Sequence, residues 1–345
     1  MDFSVTITTC NRAESLRRGL EALGQLEYAP DRIEVIVADN GSHDHTKAVA
    51  DSFAGRFANF RYIYDARPGQ MVGWHRALAV ATGDVTCFID DDVRPAPTWL
   101  TALAACYRDP RVGLASGPIR LVYDAAPPDW IASMTLGEPG SQTNPFLGGL
   151  DCGPSPRDIP GNFVWGSNFS VRRAVLFEVG GFHPCAMPWP LIRFYADGEI
   201  HVGRSAEQRG HLVVYHPQAA VAHDIPAARL TIEAVARKFT STGCARSYQT
   251  LRSTGQAYAA PSADEIRAIA RRYFRDPGSA PGELVEAVEI GLDQGMSQHR
   301  AAFLADPKFR DWVMCDTYLD LDRCYTHPAL AVESAATTTD WRSGV

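Results

Sequence analysis

Along the first part of the chain, short apolar runs alternate with stretches of helical periodicity. Residues 5–9 read as a strand. Residues 14–26 carry Leu16, Leu20, Leu23 and Leu26 at helical spacing, which makes one face of a helix apolar. Residues 33–38 form a second strand, apolar apart from Glu34, and 43–57 a second helix. The alternation continues with a strand at 60–64, a helix at 72–81, a strand at 85–89 and a helix at 97–107. Strands that alternate with helices build βαβ units and a mostly parallel sheet. Apolar runs without alternation fit strands buried on both faces.

The texture changes over residues 117–165. Pro118, Pro127, Pro128, Pro139, Pro145 and Pro160 fall there among many glycines, so long surface loops are expected. Regular structure returns at 169–179, and 212–215 and 219–222 read as strands. From Arg229 the pattern is helical and amphipathic. Ile232, Val235, Ala236 and Phe239 form one stripe, and Leu284, Val285, Val288 and Leu292 another. These shifts predict an α/β domain over 1–228 and a helical C-terminal extension over 229–345, serving as acceptor lid or dimer face. The tail beyond Pro328 reads as frayed.

Composition narrows the function classes. The chain has 345 residues, 46% of them apolar, enough for a sizeable core. A net charge of −7 argues against nucleic acid as the main partner. Eight cysteines include no CxxC pair, which excludes a zinc ribbon or a thioredoxin motif and fits a reducing compartment. Met1-Asp2-Phe3-Ser4-Val5 enters a strand pattern at once, and no apolar run approaches about 18 residues. A cytoplasmic protein with no signal peptide and no transmembrane segment is expected.

The strongest chemical signal is Asp90-Asp91-Asp92, which follows the apolar Cys87-Phe88-Ile89 directly. Adjacent carboxylates repel one another unless a cation or water lies between them. In open α/β sheets, ligands bind at the carboxyl ends of strands. Such a run therefore points at Mn2+ or Mg2+, which take oxygen ligands and complete their shells with substrate phosphates. Strand alternation puts Asp90 and Asp92 on one side and Asp91 on the other. A solvated acidic loop, or a cap before Pro97, is the structural alternative.

The neighbours of this run carry a resemblance. Ser4-Val5-Thr6-Ile7-Thr8-Thr9-Cys10-Asn11-Arg12 resembles the opening strand and Thr-x-Asn-Arg turn of family 2 glycosyltransferases. Val35-Ile36-Val37-Ala38-Asp39-Asn40-Gly41-Ser42-His43-Asp44 is similar to that family's second strand and its Asp-Asn-Gly-Ser-x-Asp end. Ala81-Thr82-Gly83-Asp84 with Phe88-Ile89-Asp90-Asp91-Asp92 resembles the segment bearing its DxD element. Gly166-Ser167-Asn168-Phe169-Ser170-Val171-Arg172-Arg173, ending in Gly180-Gly181-Phe182, resembles its acceptor-side motif. Together these cover roughly residues 3–225 in the family's order.

The resemblance implies a GT-A (nucleotide-diphospho-sugar transferase) fold and an inverting, metal-dependent transfer from a nucleotide-diphospho-sugar, UDP-linked by preference. It implies a nucleotide pocket formed by Thr9, Asn11, Arg12, Asp39, Asp90 and Asp91, with Arg76 as a substitute contact. Asp39 would meet uracil or ribose, or else only close an Asx turn with Gly41. Thr9 and Asn11 can also cap the following helix. Asp92 and His223 would hold the metal, His223 being placed after the strand at 219–222. Arg229, Arg237 and Lys238 can hold phosphate oxygens or simply form a solvated face.

Two segments depart from the family pattern. Residues 73–78 read Gly73-Trp74-His75-Arg76-Ala77-Leu78 in place of Ala-Arg-Asn-x-Gly-Ile. Trp74 there either stacks on a ligand or sits in the core. The family's general base is the Asp of a Glu-Asp pair shortly before a turn glycine. Counting back from Gly210 gives Glu199 as first choice and Asp197 as second. A non-catalytic sugar-nucleotide-binding relative and a nucleotidyltransferase are the alternative functions. The second lacks any glycine-rich phosphate loop after the first strand. The acceptor is not readable from the sequence.

Overall fold

A computed structural model describes residues 1–66, 69–183 and 198–320. Its first half alternates as the periodicity predicts: β1 (Phe3–Thr9), α1 (Ala13–Leu23), β2 (Ile33–Asp39), α2 (Thr46–Phe53), β3 (Asn59–Tyr64), α3 (Gln70–Val80) and β4 (Val85–Asp90). β5 (Val93–Pro95) and α4 (Trp99–Cys106) follow. Every residue of β1 and β2 is buried, the polar Ser4 and Glu34 being paired with each other at 2.6 Å. α2 begins at Thr46, later than periodicity suggests, because Asp44 Oδ1 accepts from the Thr46 N–H at 2.9 Å.

The region expected to be loops is the largest correction. After β6 (Val112–Ser116) it holds β7 (Ile119–Tyr123), β8 (Leu136–Glu138), β9 (Ser141–Asn144), β10 (Gly149–Leu150) and β11 (Arg157–Asp158). Apart from β7 these strands have two to four residues and few apolar positions, too little for any period to register. β12 (Phe169–Arg172), α5 (Arg173–Glu178), α6 (Gly198–Gln208), β13 (Leu212–Tyr215) and β14 (Val221–Ile225) complete the α/β part. The strand expected at 219–222 is β14, so His223 lies inside a strand and not after one.

Two sheets result. The first has the order β11-β13-β6-β12-β4-β1-β2-β3. Its β4-β1-β2-β3 half is parallel, while β12 runs antiparallel to both β4 and β6. The expected mostly parallel sheet thus holds: β13 also runs parallel to β6, and the antiparallel pairs are those of β12 and the β11 edge. Register sets the site: Thr9 lies opposite Asp39 and Thr8 opposite Asp90, so three strands deliver their carboxyl ends to one place. The second sheet, β5-β14-β7-β10-β9-β8, stands beside it, with β14 pairing to the β5 strand that leaves the acidic run.

The helical region is α7 (Ile232–Thr254), α8 (Ala263–Ala270), α9 (Gly282–Ala305) and α10 (Pro307–Val313). Phe239, Leu284, Val288 and Leu292 share one apolar core with Phe146, Leu147 and Ile225 of the second-sheet region. Among the described residues no helix is long and apolar enough to cross a membrane. The tail beyond Pro328 lies outside the described residues.

α7 and α9 touch through bare backbone. A Cβ on Gly295 would lie 2.0 Å from the Thr240 carbonyl oxygen and 2.7 Å from the Cys244 nitrogen. Gly295→Ala must therefore push the two helices apart. Overpacking of this kind costs about 3 kcal/mol, and the helix propensity gained by alanine, about 1 kcal/mol, offsets only part. A net loss of about 2 kcal/mol is expected in urea unfolding; an unchanged midpoint would contradict this packing.

Candidate active site

The site is the place where β1, β2 and β4 end. Asp39 closes β2 and is 1% exposed. Its Oδ1 accepts from the Ser42 N–H at 2.8 Å, and its Oδ2 from the Tyr62 hydroxyl at 2.6 Å. The turn expected between Asp39 and Gly41 is instead closed on Ser42, one residue further along. Asn11 adopts φ +55°. Its N–H donates to Ser42 Oγ at 2.8 Å and its Oδ1 accepts from the His43 N–H at 2.7 Å, which stitches the two loops together. α1 begins without a side-chain cap from its flanking Arg12. Neither Thr9 nor Asn11 is seen capping it, and Asp44 Oδ2 accepts from the Ala13 N–H at 3.3 Å.

Each member of the acidic run has its own partners. Asp90, the last residue of β4, accepts from Gln70 Nε2 at 2.5 Å and from Ser167 Oγ at 3.3 Å. Asp91 accepts from Thr9 Oγ1 at 2.8 Å and pairs with Arg12 Nη1 at 2.9 Å. Asp92 pairs with Arg12 Nη2 at 2.9 Å through Oδ2. The expected alternation fails here, because the chain turns at Asp91 and Asp92 and lets one guanidinium grip both. Burial pushes the Asp90 carboxyl up to about 7, with Asp92 and Glu199 adding to the rise. Burial likewise pushes Asp91 up to about 7, against the pull of Arg12. The tip therefore resists carrying its full negative charge without further positive charge.

The second sheet supplies the facing group. His223 Nε2 lies 3.6 Å from Asp92 Oδ1, and Arg229 Nη1 donates toward that same nitrogen at 3.3 Å. β14 is held in place by the Asp224 N–H, which donates to the Asp92 carbonyl at 2.9 Å. Burial lowers His223 to about 4, so at neutral pH it is an uncharged imidazole, the form that ligates metals. Asp92 Oδ1 is buried and has no hydrogen-bond partner. An orphaned carboxylate oxygen beside an uncharged imidazole, whose Nε2 takes the Arg229 N–H, fits a divalent cation. Among the described residues no three His, Cys, Asp or Glu side chains form a closed metal cage. The protein would thus offer two ligands and leave the remaining positions open.

Glu199 stands in the first turn of α6. Its Oε1 lies 3.7 Å from where a Cβ on Gly166 would be, and its charge reaches Asp90. α6 comes this close because Gly203 meets Gly161 backbone to backbone; a Cβ on Gly203 would lie 2.0 Å from the Gly161 carbonyl oxygen. Asp197 lies outside the described residues.

The divergent segment 73–78 is explained by packing. A Cβ on Gly73 would fall 2.5 Å from Asn40 Oδ1 and 2.6 Å from Thr8 Cγ2, so glycine lets α3 press on the strand ends. Trp74 is core: it packs on Phe88, Phe169 and Phe182. His75 donates from Nδ1 to the Met71 carbonyl at 3.0 Å and accepts the Phe182 N–H at 3.1 Å, so it is held neutral. Gly180 and Gly181, both at positive φ, turn the chain so that Phe182 arrives there. Arg76 is exposed on the rim and pairs with Asp65 at 2.9 Å, apart from the acidic run. Sequence reasoning missed Gln70, for a glutamine opening a helix carries no distinguishing signal.

Comparison with known proteins agrees with this fold. The sequence pattern described as Glycosyl transferase family 2 matches residues 4–179, just over half of the chain. Glycosyltransferase AglE of Haloferax volcanii is 26% identical over 228 residues, covering 64% of this chain and 64% of AglE. The chain thus spans a little under two thirds of that relative. The Glucosyl-dolichyl phosphate glucuronosyltransferase of the same organism is 26% identical over 243 residues, covering 65% of this chain and 70% of that enzyme. Among solved structures, the mannosyltransferase PcManGT from Pyrobaculum calidifontis, in complex with GDP-Man and Mn2+, aligns with a TM-score of 0.51 at 18% identity. That alignment covers 88% of this chain and 75% of that one, and it bears on the fold alone. The chain belongs to glycosyl transferase family 2 and has the GT-A fold.

Proposed function

We propose that the enzyme transfers a sugar, with inversion, from a nucleoside-diphosphate donor to an acceptor hydroxyl, UDP being the preferred nucleotide. The observation that carries this reading is the orphaned Oδ1 of Asp92 facing His223, at the strand ends that also present Asp39. Asp39 and Thr9 line the nucleoside side, with Asn11 holding the two loops that frame it. Asp92 and His223 hold Mn2+ or Mg2+, which when bound supplies positive charge to the leaving diphosphate. Arg229 stands beside them for a phosphate oxygen. Glu199, with Asp197 as the alternative by register, takes the proton from the acceptor hydroxyl. That oxygen forms its bond to the anomeric carbon as the bond to the nucleoside diphosphate breaks on the opposite side. α7 starts shortly after Arg229 and packs on the second sheet, a position suited to walling the acceptor side.

The test is a panel of UDP- and GDP-sugars with Mn2+, read as release of nucleoside diphosphate. Turnover of a UDP-sugar, lost on adding EDTA, is expected. Equal rates with and without chelator would contradict metal dependence, and faster release from GDP-sugars would contradict the UDP preference.

A further inference from the structure

Arg12 occupies an unusual position for a residue of a nucleotide-binding turn. Its guanidinium bridges Asp91 Oδ1 and Asp92 Oδ2, both at 2.9 Å. The two carboxylate side chains are 4% and 8% exposed, while Arg12 itself is 41% exposed. The fork is placed from behind: Asn11, at positive φ, is tied to Ser42 and His43, and Thr9 holds the other oxygen of Asp91. A planar guanidinium suits two carboxylates at once, where an ammonium is only a point charge. The consequence for Asp92 is specific. One oxygen is committed to Arg12, and the other is left without a hydrogen-bond partner, facing His223.

We infer that Arg12 is a resident counter-cation for the acidic run: a positioning residue that aims one oxygen of Asp92 at His223 and makes divalent-metal binding depend on the donor's diphosphate. The inference rests on the reading that Asp92 and His223 hold the metal. Arg12 already compensates part of the tip's charge, so a free dication gains less by entering than it would at a bare carboxylate cluster. The diphosphate brings new negative charge and new oxygen ligands, and only then does the dication bind tightly. Order of binding is thereby built into the site without any moving part.

The test is calorimetric titration of MnCl2 into the full chain, alone and with saturating UDP, for wild type, Arg12→Met and Arg12→Lys. Wild type is expected to bind Mn2+ alone at least about tenfold more weakly than with UDP. Arg12→Met, which keeps the length and removes the charge, is expected to bind Mn2+ alone about tenfold more tightly than wild type, after discount for the half-exposed site. Arg12→Lys restores weak binding, which a purely structural role of the guanidinium fork would not do. Equal Mn2+ affinity of wild type with and without UDP overturns the inference, even if Arg12→Met fails to fold. So does unchanged or weaker Mn2+ binding by a folded Arg12→Met. If no protein binds Mn2+ under either condition, the metal reading itself falls and takes the inference with it.

Discussion

Asp92→Asn is expected to leave the protein folded and to abolish sugar transfer. Asparagine keeps the shape of the side chain, and the backbone anchor from the Asp224 N–H to the Asp92 carbonyl is untouched. What disappears is the carboxylate's negative charge, shared by the Oδ2 that pairs with Arg12 and the Oδ1 that faces His223 without a hydrogen-bond partner. Charge compensation by a metal is worth several kcal/mol in the transition state, so kcat/KM should fall by about a thousandfold, equivalent to about 4 kcal/mol. Initial rates with a UDP-sugar and Mn2+, beside a thermal melt, check this. A rate within tenfold of wild type, in a protein with an unchanged melt, would remove Asp92 from the mechanism.

Glu199→Gln is expected to lower kcat by about a hundredfold or more, the range of a lost general base. The donor KM should stay nearly constant, because Glu199 lies beside Gly166, away from Asp39 and Thr9, the residues proposed for the nucleoside. That split separates a base from a merely supporting acid, whose loss would move both constants. If kcat survives in Glu199→Gln and is lost in Asp197→Asn, the proton goes to Asp197.

The parts of the site that sequence made legible are those built from continuous chain. β1, β2 and β4 are apolar-rich and almost wholly buried, and each ends on a polar residue, so strand pattern and the family resemblance together put Thr9, Asp39 and Asp90 at one sheet edge. Partnerships across long separations were not legible. Arg12 and Asp92 are 80 positions apart, and nothing local announces that one guanidinium grips two carboxylates. Gln70 reaches Asp90 from a helix start that looks ordinary. The second sheet was read as loops because its strands are short and polar, which also put His223 after a strand when it lies within β14. At Trp74 the sequence left two roles open, and packing against Phe88, Phe169 and Phe182 decides for the core. The glycine at position 73 departs from the family pattern for a steric reason, the closeness of Asn40 and Thr8.

The proposed function depends most directly on where a cation settles. Crystals grown with UDP and MnCl2 and measured at a wavelength sensitive to manganese would show it. An anomalous peak about 2.2 Å from both Asp92 Oδ1 and His223 Nε2, next to the diphosphate, is the predicted result. UDP bound in the cleft with the manganese elsewhere, or with none at all, would contradict it.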